Sequence, residues 1–124
     1  MLQLDGQRVS RVCFDTYGVE LVTESGFELR FETRFVVRGI AGEATTVDPE
    51  APGAASTQLL QLLQKVVDLA ETAPSGALTV TFVDGSELEA PQHAEFEAWT
   101  VTGPHGERVV CLPGGGVSEW SATE

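Results

Sequence analysis

Basic side chains are scarce in this chain. Seven lysines and arginines face nineteen aspartates and glutamates, giving a formal charge of −12 and a pI near 4.4. Nucleic-acid binding draws on Lys and Arg to displace phosphate counterions, so this balance argues against DNA or RNA as a direct partner. Asparagine is absent, which removes the usual third member of a papain-type Cys-His-Asn site. Two cysteines, Cys13 and Cys111, make no zinc site of recognisable spacing and are expected to be reduced, unbridged thiols. No apolar run approaches the roughly 20 residues of a membrane helix. The opening stretch MLQLDGQRV has no basic segment followed by an apolar one, so a cytoplasmic location and no membrane association are expected.

What is present suits an ordinary globular core. The 124 residues match one domain, expected to span 1–124, and 42% of them are apolar with mean hydropathy near zero. The charge is unevenly spread. Residues 1–40 carry six acids against five arginines, whereas 41–124 carry thirteen acids against Lys65 and Arg108 alone. Such a surface suits a basic partner, and it equally suits simple solubility.

Periodicity predicts an α+β fold: a mostly antiparallel sheet of about six to eight strands with one main helix, near 57–72, packed on one face. Phe27, Leu29, Phe31, Phe35 and Val37 alternate with Glu28, Arg30, Glu32, Arg34 and Arg38, the signature of one long, half-buried strand. Residues 39–55 are rich in Gly, Pro and acids and read as a long loop. Leu59, Leu62, Leu63, Val66 and Ala70 then fall at helical spacing, with Ser56 or Thr57 as a cap. Further strands are expected around 8–15, 19–23, 78–82, 87–89, 96–102, 108–112 and 117–120. Asp84-Gly85 is the dipeptide favoured in type I′ hairpins. The stretch 21–29 resembles 81–88, which is read as two hairpins of like design, not as a duplication.

Three constellations could carry chemistry. His93, Glu95 and Glu97 would share one face of a strand and could ligate a metal, although no second His lies nearby. Cys111 with His105 is the nucleophile–base pair to test, but the two sit on strand ends that diverge. Pro113-Gly114-Gly115-Gly116 leads into a strand instead of a helix and lacks a Lys, so it reads as a turn and not a phosphate loop. No cofactor is expected.

Glu97-Ala98-Trp99-Thr100-Val101-Thr102-Gly103-Pro104, Val109-Val110-Cys111-Leu112-Pro113-Gly114-Gly115 and Trp120 resemble the C-terminal signature of a family of small, mostly actinobacterial proteins of unknown function. In that signature an Ala-Trp strand, a Gly-Pro turn, a Val-Cys-x-Pro-Gly-Gly run and a closing Trp recur. The resemblance covers about 77–120 and implies a cytoplasmic bacterial protein; it brings no catalytic residues. Trp99 and Trp120 read as anchors on the same edge of the core or as part of a partner-binding patch. The function expected is that of a non-enzymatic protein-binding module for a basic protein, with Glu87, Glu89, Glu95, Glu97, Trp99 and Trp120 as contributors. One alternative is an immunity-type protein that neutralises a basic nuclease toxin. The other is a small metal-dependent or cysteine enzyme. The pattern specifies no oligomeric state.

Overall fold

The computed structural model describes residues 3–120. Its strands are β1 (Val9–Phe14), β2 (Val19–Thr23), β3 (Glu28–Phe31), β4 (Phe35–Arg38), β5 (Ala44–Val47), β6 (Val67–Thr72), β7 (Leu78–Phe82), β8 (Glu87–Ala90), β9 (Trp99–Thr102), β10 (Arg108–Cys111) and β11 (Val117–Trp120). They form a six-stranded sheet in the order β1-β2-β3-β9-β10-β11 and a five-stranded sheet in the order β5-β4-β8-β7-β6, antiparallel throughout. A 3-10 turn (Pro52–Ala55) leads into the short helix α1 (Ser56–Leu60).

The fold is therefore mostly β, and the α+β expectation is corrected in three places. The helix expected over 57–72 stops at Leu60. Gln64 takes φ of 73°, which no helix accommodates, and β-branched Val66 and Val67 then favour extended backbone. The helical spacing beyond it was produced by a β-bulge. The pairing of β6 with β7 shifts register between Val67 and Leu69, so buried Val67 and Ala70 lie three apart while both face the core. Ser56 does not cap the helix; its hydroxyl donates to Gly53 O, and the N-cap Ala55 has no side-chain bond. The long strand 27–38 is two strands in different sheets. A corner at 32–34 carries the chain across, with the Phe31 and Phe35 rings stacked 4.5 Å apart between centroids. The stretch 39–55 contains β5 and the 3-10 turn, because Thr45, Thr46 and Val47 supply β-branched residues that pair with β4.

The two halves of the chain repeat one topology. β1-β2-β3 is a meander that crosses at 32–34 to the hairpin β4-β5; β6-β7-β8 is a meander that crosses at 91–98 to β9-β10. Exchanging the halves maps the order β1-β2-β3-β9-β10 onto β6-β7-β8-β4-β5. The details agree. β1 and β6 carry a bulge at the same step, between Val9 and Arg11 and between Val67 and Leu69. Val9 N–H donates to Lys65 O while Val67 N–H donates to Gln7 O; Gly6 N–H donates to Val67 O while Gln64 N–H donates to Val9 O. Each bond has its mate, as across a two-fold interface. Gly6 and Gln64 occupy equivalent positions and both have positive φ, 83° and 73°. Gly39 and Gly103 are likewise paired: each is followed four residues on by a glutamate, Glu43 or Glu107, whose carboxylate lies where a glycine Cβ would stand. The resemblance of 21–29 to 81–88 is thus one piece of a repeat that runs through the chain.

The same turn closes most hairpins. At 82–86 Gly85 N–H donates to Phe82 O and Phe82 N–H donates to Ser86 O, with Gly85 at φ 92°. Asp84 has no positive φ, so this is not the type I′ turn that the dipeptide suggests but a turn closed by a left-handed glycine. The inward residues of both sheets form one core that includes Leu4, Leu59, Leu62, Phe31, Phe35, Phe82, Leu88 and Trp99. Leu59 and Leu62 are buried as expected of them, whereas Leu63 and Leu60 face outward. Leu62 plugs the end of the core where its counterpart Leu4 does so in the other half.

Candidate functional site

The site lies at the end of the molecule that holds both crossovers, where the halves cease to match. In the second half the turn 73–77 docks on the turn 112–116: Gly116 N–H donates to Ser75 O, and Trp99 Nε1–H donates to Gly76 O at 2.9 Å. A Cβ at Gly76 would meet the Gly116 backbone at 2.8 Å, so the two turns touch and the corner is closed. The equivalent pieces of the first half, the turn 15–18 and residues 48–50, stay apart. A cleft of about 560 Å³ opens between Tyr17 and Glu50, and one of about 480 Å³ adjoins it beside residues 48–50. Tyr17, Glu32, Glu50, Glu95, Phe96, Glu97 and Pro113 line one. Glu32, Arg34, Asp48, Glu50, His93 and Phe96 are among the residues lining the other.

The longer crossover, 91–98, builds this surface. Gly114 N–H holds it at His93 O, and His93 Nδ1 accepts the Glu95 N–H at 3.0 Å while its ring packs 5.0 Å from that of Phe96. Tyr17 and Phe96 are left 71% and 59% exposed. Asp15 Oδ1 accepts the N–H groups of Tyr17 and Gly18 and so shapes the turn that carries Tyr17. Arg30 donates to both oxygens of Asp15, at 2.7 and 3.0 Å, and holds that carboxyl well below its ordinary range. The local cations are thereby spent: Arg30 also meets Glu32 at 3.3 Å, and Arg34 meets Asp48 at 3.6 Å. Among the described residues Glu50, Glu95 and Glu97 make no ion pair.

The structure scatters the residues singled out from the sequence. Glu95 and Glu97 reach the cleft. Glu87 and Glu89 lie on β8, where Glu87 pairs with Arg38 at 3.5 Å. Trp99 is wholly buried and offers no surface to a partner. Trp120 is 53% exposed on β11, with the Arg108 guanidinium 5.8 Å from its ring centroid. Trp99 and Trp120 do not share an edge, since Trp120 is paired with Arg108, and Arg108 with Thr102 at the far end of β9. The His93, Glu95, Glu97 row presumed a strand, but β9 begins at Trp99, and no group of three or more His, Cys, Asp or Glu among the described residues is placed to hold a metal. Cys13 and Cys111 are both unbridged; burial pushes the Cys111 thiol up, away from thiolate chemistry. Tyr17, Phe96, Glu32 and Glu50 were missed. The signal available was Tyr17, the single tyrosine, placed in a Thr-Tyr-Gly turn where nothing buries it.

Two-sheet architecture defines the class: an antiparallel β protein with an acidic, aromatic cleft at one end. The chain belongs to a family of unknown function, DUF6188, whose model matches residues 1–121. No curated protein and no solved structure matches it. Among the described residues no helix is long and apolar enough to cross a membrane.

Proposed function

We propose that this chain is a protein-binding module whose cleft at the crossover end takes a basic segment of a partner protein. One observation carries the reading: Glu50, Glu95 and Glu97, without ion pairs among the described residues, surround exposed Tyr17 and Phe96 at a corner that the other half of the fold closes. Exposed aromatics supply contact area at low entropic cost, and unpaired carboxylates steer a cationic partner and discriminate against acidic ones. Trp99 leaves the proposed surface, and Tyr17, Phe96, Glu32 and Glu50 join it. A cationic chain also fits the charge of the whole protein better than a nucleic acid does.

The test is capture of the partner from the native host, followed by association kinetics at low and physiological salt. The on-rate should fall as salt rises, because exposed charges are screened over about 8–10 Å. An acidic partner, or an on-rate indifferent to salt, overturns the reading. Capture of a basic nuclease would narrow it to the immunity-type role. The enzyme alternative gains nothing from the geometry: His93 Nδ1 is occupied by a backbone N–H, and Cys111 is buried.

A further inference from the structure

β5 ends the five-stranded sheet, with the 3-10 turn near it and, among the described residues, no strand paired to its outer side. Gly39 N–H donates to Glu43 O at the hairpin turn, which directs the backbone groups of Thr45 and Val47 toward β4 and those of Ala44 and Thr46 outward. Ala44 and Thr46 are exposed. The strand is short, four residues, but holds no charge, no proline and no register shift, three of the devices by which edges are protected.

The other half shows what this backbone surface accepts. β10, the counterpart of β5, is covered along its length by β11, which pairs with it antiparallel from Arg108–Trp120 to Cys111–Val117. The charges at the two ends of β5 then choose the occupant. Glu43 precedes the strand, and Asp48 and Glu50 follow it. A second copy pairing antiparallel through β5 would bring the acidic end of one strand, at Glu43, to the acidic end of the other, at Asp48 and Glu50, between molecules already at −12. A cationic strand meets opposite charge at both ends, and the end at Glu50 opens into the Tyr17–Phe96 cleft.

We propose that the partner's basic segment enters as an extended strand added antiparallel to β5 and continues into that cleft. The inference rests on the reading of the cleft given above. Main-chain hydrogen bonds to Ala44 and Thr46 give affinity, and the flanking carboxylates select basic side chains.

The probe is a short blocked peptide of alternating lysine and valine, titrated into the full chain with amide hydrogen exchange read at Ala44 and Thr46. Controls are the same peptide N-methylated at alternate residues and its glutamate counterpart. Both amides should become protected by the parent peptide alone, and N-methylation should weaken binding about tenfold. Thr46→Pro, which removes only an outward N–H, should weaken the parent peptide similarly. If that variant unfolds, the N-methylated peptide makes the same test on the unaltered protein. Equal binding of parent and N-methylated peptides, with Ala44 and Thr46 unprotected, overturns strand addition. The cleft reading survives that outcome if Glu95→Lys with Glu97→Lys still abolishes binding. Protection at both amides that persists unchanged in the Glu95→Lys, Glu97→Lys variant overturns the cleft reading and leaves edge pairing standing. Absence of any binding by the parent peptide overturns the inference.

Discussion

Residues 4–47 and 62–111 build the same strands, bulges and turns, yet they spend their surfaces differently. Where the first half places Arg8 and Glu24 in an ion pair at 3.4 Å, the second places Val66 and Val83, joined by the equivalent backbone bond from Val83 N–H to Val66 O. Where the second half closes turn on turn, the first leaves Tyr17 and Glu50 facing a cleft. The fold dictates what the halves share: buried Leu4 and Leu62, the Gly-x-x-Gly-Glu turns, and large aromatics at Phe35 and Trp99 that begin the strand after each crossover. What differs is free of that demand, and the differences gather at the two ends. At the end opposite the crossovers, exposed Ile40, Leu63 and Val83 line a cleft of about 790 Å³, where Asp84 is held by Lys65 at 2.6 Å and Glu43 is the one further acid of the lining, against three at the crossover end in Glu50, Glu95 and Glu97.

The largest effect should come from the aromatic that closes the second half. Trp99→Ala removes a fully buried ring and the donor to Gly76 O, and should cost about 3–5 kcal/mol by denaturant unfolding. Trp99→Phe retains the packing but strands Gly76 O, for about 1–3 kcal/mol. Were Trp99→Phe neutral, the turn-on-turn closure would not depend on that bond. Next come the left-handed pair. Gln64→Gly should stabilise by about 1 kcal/mol and Gly6→Ala should destabilise by a similar amount, since both positions require positive φ. Opposite signs at the two sites would show the repeat in energy as well as in geometry.

A smaller effect is expected with pH. Lys65 and the Ser86 hydroxyl and N–H bring the Asp84 carboxyl from its ordinary value near 4 down to about 2, and Arg30 holds Asp15 lower still. A carboxyl lowered in the folded state binds its proton less readily there than when unfolded. Its contribution is therefore full above about pH 4 and is lost as pH falls toward 2. The thermal midpoint should drop across that window, and less so in Asp84→Asn, which has given up part of the contribution beforehand. An unchanged slope in that variant would remove Asp84 from the account. Smallest of all, Glu95→Lys with Glu97→Lys should alter stability by no more than about 0.5 kcal/mol, because both side chains are exposed in a loop.

Much of the strand order's raw material was readable in the chain, and the reasons for the failures are local. Hairpins at 24–26, 83–85 and 103–106 are announced by glycine because their turns need a left-handed residue. β6 reads as helix since the bulge after Val67 converts a period of two into a spacing of three, next to a run of leucines that does begin as helix. The corner at 32–34 is invisible because three residues preserve the parity of Phe31 and Phe35 on either side of it. β5 is short, half threonine and set among glycines and acids. The repeat escapes notice because its halves agree in backbone demand and seldom in side chain. As for the site, the excess of acid could be counted, and Glu95 and Glu97 were found that way. Tyr17, Glu32 and Glu50 come from three separate connections that only the crossing of the chain between sheets brings beside Phe96.

On the reading proposed above, the asymmetric end, not the acidic surface at large, recognises the partner. That reading is tested most directly by association kinetics of two double reversals against the captured partner at low salt. One is Glu95→Lys with Glu97→Lys in the cleft; the other is Glu87→Lys with Glu89→Lys on β8, outside the cleft. Both change the net charge equally, so a general field would slow association to the same extent in each. A markedly slower on-rate is expected for the cleft pair and a much smaller change for the β8 pair. Equal slowing by both, or none by the cleft pair, would contradict it.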